Sequence, residues 1–228
     1  MNVTRQGEPL AYPSDWYRQS EAANTLTHAV GTILAVVAAY FLVSRSLGYS
    51  SLLVAACAAY AVTLVGVFSC STLSHWIVDE PIRTRFRRLD QGFIYLLIVA
   101  TYTPFSIVYL RETRWWVILA TMWVIAIAGF TSKVIHSHRV NRVSILAYLV
   151  LGWLPALGGW PSGADIPREA VLGVIGGGVI YTLGTWFLVN DRRCWYFHAC
   201  WHVLVIAAAA IHVLTTLELV IPLQTTGS

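Results

Sequence analysis

Seven stretches of this chain are too long and too apolar to belong to the core of a water-soluble domain. A helix needs about 20 mostly apolar residues, within a range of roughly 17–25, to cross the hydrocarbon of a bilayer. The stretches run approximately over Thr25–Val43, Ser51–His75, Gly92–Leu110, Trp115–Phe130, Val143–Leu157, Ala170–Val189 and Phe197–Val220. Only 11% of the residues are charged, against about 25% in soluble domains. No polar stretch is long enough for a second globular core. The expectation is an all-α chain: a seven-transmembrane helix bundle over 21–222, after a polar segment 1–20 and before a short tail 223–228. Pro155 and the Gly158-Gly159 pair predict a break or kink at the end of the fifth stretch. The first twenty residues lack the apolar run of a signal peptide, so the first helix is expected to serve as the uncleaved insertion signal.

Basic residues orient the bundle. With the N-terminus cytoplasmic, eleven fall on inside segments: Arg5, Arg18, Arg83, Arg85, Arg87, Arg88, Lys133, Arg139, Arg142, Arg192 and Arg193. Four fall outside: Arg45, Arg111, Arg114 and Arg168. That split follows the positive-inside rule and puts the C-terminus outside. Because the basic groups sit in short interhelical loops and form no extended face, no nucleic-acid partner is expected; Arg87 and Arg88 read as topology markers or contacts to anionic lipid. The cysteines Cys57, Cys70, Cys194 and Cys200 form no CxxC pair and read as small apolar residues.

Ionisable groups inside spans are costly, which makes each a candidate for function. Under this topology several reach one membrane level. Glu21, Asn24 and His28 open the first helix at i, i+3, i+7, on one face. Ser71 and His75 close the second at i, i+4, Asp90 opens the third, and His198 and His202 open the seventh one turn apart. Two histidines at i, i+4 can present ring nitrogens to one metal, and a catalytic zinc site commonly has three protein ligands and one open position. His75, His198 and His202 supply three. Asp90 can then hold a metal-bound water or take its proton, and Ser71 can hold a reacting oxygen; bound zinc brings the pKa of water to about 7. Glu21 and Asn24 read as helix caps or as supports behind the ligands, with His28 beside them. His212 lies about 15 Å deeper than His202, at 1.5 Å per residue, and reads as a packing residue. His136 and His138, at i, i+2, share no helical face and read as loop or interface residues.

The stretches "EAANTLTHAVG", "STLSH", "LDQGFIYLLIVATYTPF" and "HACWHVLVIAAAAIH" together resemble the hemolysin III family, the bacterial branch of the progestin and adiponectin-receptor (PAQR) superfamily. The resemblance runs from Glu21 to about His212. It implies a seven-helix protein of the bacterial inner membrane with zinc near the cytoplasmic face. His75, His198 and His202 match the family's ligands, Asp90 the acidic residue that positions the zinc-bound water, and Ser71 the serine beside it. Related receptors and alkaline ceramidases share the arrangement, which implies a hydrolase acting on lipid amides, with membrane lipids as partners and substrate. The chain departs from the pattern at Ser74, where a Tyr often precedes the first histidine, and at Gln91, where a His often follows the aspartate. Neither departure removes a ligand, and both bear on the pocket wall.

Two other roles compete with the hydrolase. In a membrane-homeostasis or sensor protein the zinc would be structural, since closed zinc sites stabilise folds outright. A cytolytic pore, suggested by the family's name, has little support, because a secreted pore-former is soluble before insertion and this chain carries seven apolar stretches.

Overall fold

The computed structural model describes residues 14–135, 145–158 and 165–221, and all regular structure among them is helical. The elements are α1 (Ser14–Ser46), α2 (Ser51–Trp76), α3 (Glu80–Tyr109), α4 (Thr113–Ile135), α5 (Ile145–Trp153), α6 (Arg168–Val189) and α7 (Phe197–Thr215). Six of them, with α7 extended to Val220, are long and apolar enough to cross a membrane. The seventh apolar helix, Ile145–Ala156, is shorter. It tightens from α-helix into a 3₁₀ turn over Leu154–Gly158, which contains Pro155, the kind of break the proline imposes by withholding an N–H. His136, His138 and the tail 223–228 lie outside the described residues.

Short links join α1 to α2, α2 to α3 and α3 to α4, so consecutive helices run antiparallel. Local chemistry sets the joints. Gly48 takes a positive φ of 103° in the first link, a region open to glycine at no steric cost. The Ser50 hydroxyl then accepts from Leu53 N at 3.3 Å to cap α2. At α3 the Asp79 carboxylate accepts from Ile82 N at 3.0 Å, with Pro81 in the first turn.

Helix α3 is the most enclosed of the spans. On one side it shares the main apolar core with α1, α2 and α7, around Leu42, Leu53, Tyr60, Ala100 and Val205. On the other it packs with α4 and α5 around Tyr95, Val99, Met122, Ala126 and Leu151. Large apolar side chains such as Leu26, Ile33, Val62, Val124 and Leu183 point outward. In water that surface would drive aggregation; in a bilayer it is the solvent-facing side.

Helix α6 closes on α7 through Gly173 and Gly177, spaced as the small-xxx-small pattern of membrane helix pairs. A Cβ at Gly173 would lie 2.1 Å from Thr215 Oγ1, and one at Gly177 2.2 Å from His212 Nε2. Gly176 has nothing within 4 Å. Gly177→Val is therefore expected to cost about 1–3 kcal/mol through overpacking, read as a lower unfolding temperature in detergent, while Gly176→Val is tolerated.

Candidate metal centre

The end of the bundle where α1, α3 and α7 begin and α2 ends gathers the polar side chains. One ring nitrogen from each of His75, His198 and His202 lies within 4.8 Å of the others. Ring centroids are 4.5 Å apart for His198 and His202, and 5.2 Å from His75 to each. The i, i+4 spacing on α7 turns two imidazoles the same way, and the last turn of α2 delivers the third.

Each of the three has an oxygen at Nδ1. Glu21 Oε2 is 3.2 Å from His75 Nδ1. Asp191 Oδ2 is 3.4 Å from His198 Nδ1. Thr27 Oγ1 is 3.1 Å from His202 Nδ1. The Thr27 hydroxyl donates its proton to the carbonyls of Ala23 (2.8 Å) and Asn24 (3.0 Å), so its oxygen accepts from His202. A ring that donates through Nδ1 keeps a bare Nε2, the arrangement found behind metal-ligating histidines. Three rings that bring one nitrogen each within 4.8 Å of the others fit a divalent metal that prefers nitrogen donors, zinc among them.

Glu21 bonds Arg83 of α3 as well as His75. The guanidinium of Arg83 also donates to the Tyr17 hydroxyl and, through Nε, to the Ser74 carbonyl at 2.9 Å. Arg83 is 5% exposed, although the charge pattern marks it only as one of several inside residues. Seven residues along α3, on the same face, Asp90 faces the Ser71 hydroxyl. Ser74 Oγ donates to the Ser71 carbonyl at 2.9 Å. Gln91 points into a different cluster, where its Oε1 accepts from Lys133 at 2.9 Å and its carbonyl from Tyr148 at 2.8 Å.

All eight residues singled out from sequence therefore lie at this end, in different relations to the cluster. His75, His198 and His202 converge, Glu21 backs the first of them, and Asp90 and Ser71 face each other outside the triad. His28 packs edge-on against His202, with centroids 3.7 Å apart, and Asn24 is buried one turn away. His212 stands apart, its Nε2 3.1 Å from the Val174 carbonyl. Sequence reasoning missed Arg83, Thr27, Asp191 and Tyr17. For Arg83 a signal was present, since it shares a face of α3 with Asp90 at i, i+7. For Thr27 and Asp191 there was none beyond proximity to His28 and His198.

Glu21→Gln keeps the shape behind His75 and removes the charge. Supports of this kind typically change metal affinity by about 10–100-fold. A weakening of that size is expected in competition with a chromophoric chelator, with the helical circular dichroism spectrum retained.

Comparison with known proteins agrees with this architecture. The profile of the family described as "Haemolysin-III related" matches residues 16–213. "Hemolysin-3" of Bacillus cereus is 31% identical over 205 residues, spanning 90% of this chain and 93% of the relative. "Hemolysin-3 homolog" of Bacillus subtilis is 30% identical, over 84% of this chain and 90% of the relative. The human "Monocyte to macrophage differentiation factor" is 29% identical, over 84% and 80%. No solved structure matches. With this multi-pass helical architecture and a match along nearly its whole length, the chain belongs to the haemolysin-III-related family.

Proposed function

We propose that this protein is a zinc-dependent hydrolase of lipid amide or ester bonds, spanning the bacterial inner membrane seven times with its site near the cytoplasmic face. The observation that carries the reading is the triad itself: three imidazoles, each with an oxygen at Nδ1, that bring one ring nitrogen apiece within 4.8 Å of one another, at the end of the bundle that also carries the Asp90 carboxylate. His75, His198 and His202 would hold the metal, with Glu21, Thr27 and Asp191 orienting them. Zinc held there would supply Lewis acidity, able to polarise a carbonyl and to make water a stronger acid. Asp90 accepts a proton from the attacking water and returns it to the leaving nitrogen or oxygen. Ser71 holds Asp90 in orientation.

A sensor or homeostasis role with structural zinc uses the same triad differently, because a metal shared by His75 and the two α7 histidines would tie α2 to α7. The two roles separate at Asp90. Detergent-purified protein is expected to carry about one zinc per chain, with His198→Ala losing it, and to release fatty acid from a ceramide-like lipid. Asp90→Asn is expected to keep the metal and lose about 10²–10⁴-fold in hydrolysis. Zinc retention with no cleavage across a lipid panel removes the hydrolase and leaves the structural role.

A further inference from the structure

Two side chains beside the histidine triad are buried with polar atoms left unbonded. Asn24 is 2% exposed and His28 3%. Asn24 Oδ1 and both ring nitrogens of His28 lack a hydrogen-bond partner among the described residues. Asn24 Nδ2 donates to Ser20 Oγ at 3.3 Å, which leaves the oxygen with nothing to accept. The two residues sit at i, i+4 on α1 and share a face. His28 is fixed between Phe68, at 5.3 Å between ring centroids, and His202, at 3.7 Å.

A histidine kept only for packing does not look like this. His212, the other deep imidazole, places its Nε2 on the Val174 carbonyl at 3.1 Å. Buried polar atoms are nearly always satisfied, and leaving one unmade costs more than the bond would have contributed. Three such atoms within one turn of one helix, in contact with a candidate metal ligand, indicate a partner that the protein chain does not provide.

Chemistry narrows that partner. Asn24 Oδ1 needs a donor, and the neutral imidazole of His28 offers one donor and one acceptor. A carboxylate brings acceptors only and leaves Asn24 unpaired. An ammonium or phosphate would be buried against neutral groups, at the cost of desolvating a charge. A hydroxyl donates its one proton to Asn24 Oδ1 and accepts from the imidazole N–H, so a single group serves one atom of each residue. We propose that Asn24 and His28 form a hydroxyl-binding subsite beside the triad, one that selects lipid amides or esters bearing a hydroxyl near the scissile bond. The proposal rests on the hydrolase reading for its substrate and on the unpaired atoms for its site.

Two amides that differ by one hydroxyl provide the test, N-(2-hydroxyethyl)dodecanamide and N-ethyldodecanamide. Binding to zinc-loaded, detergent-purified protein is measured by calorimetry, beside metal content and unfolding temperature. Wild type is expected to prefer the hydroxylated amide by about two- to tenfold, the range of a net hydrogen bond. His28→Phe and Asn24→Leu are expected to abolish the preference and keep the zinc. Without ligand, each is expected to unfold about 2–4 °C above wild type or higher, because a polar group without a partner has been removed. Equal affinity of wild type for the two amides, binding of neither, or preference surviving in both variants overturns the subsite. A lower unfolding temperature in both ligand-free variants also overturns it, since it makes the two residues structural. If the preference holds but neither amide is cleaved, the hydrolase reading fails and the subsite stands as a binding site.

Discussion

The carboxylate of Glu21 is where three helices are tied. It rides on α1, accepts from Arg83 of α3, and holds Nδ1 of His75 at the end of α2. The same guanidinium bonds the carbonyl of Ser74, so one arginine restrains both the backbone before His75 and the group behind its ring. The Arg83 and Glu21 side chains are only 6% and 20% exposed. In such surroundings, breaking a pair by removing one partner costs about 3–5 kcal/mol, because the other charge is left buried. The position of an imidazole at the end of one helix thus depends on charges carried by two others, and the convergence of the triad depends on that imidazole.

Much of this end of the molecule was legible in the order of residues. Helical periodicity puts Glu21, Asn24 and His28 on one face, and the pairs Ser71 with His75 and His198 with His202 on others. Alternation of span direction then carries all of them to one level. What periodicity cannot supply is which atoms of different helices touch. Thr27 is an ordinary hydroxyl in an apolar helix until His202 is packed against it. Asp191 belongs to a polar turn until α7 folds back from it and brings His198 within 3.4 Å. Arg83 was masked by its neighbours, since Arg85, Arg87 and Arg88 make the segment read as a topology signal.

The spans were legible in kind more than in extent. An apolar window finds Thr25–Val43 and Gly92–Leu110, whereas the helices run over Ser14–Ser46 and Glu80–Tyr109. The extra turns carry Tyr17 and Glu21 on α1 and Arg83 and Asp90 on α3, residues a hydropathy average discounts because they are polar. The two sets of turns are joined through Arg83, which bonds Tyr17 and Glu21. The fifth stretch is the opposite case: its apolar run was visible, and the tightening within Leu154–Gly158 ends its α-helix at Trp153, after nine described residues.

Those extra turns have a consequence for the surroundings of the protein. At 1.5 Å per residue α3 is about 45 Å long, against a hydrocarbon thickness of about 30 Å. The apolar part of α3 matches that thickness, so the excess lies at the end that carries the histidines, together with the polar start of α1. The two helices build a charged collar at the end of the bundle that carries the triad. Bilayer thickness then becomes a variable of the site: a thicker membrane draws the collar toward the acyl chains and dries the histidines, and a thinner one lifts them toward water.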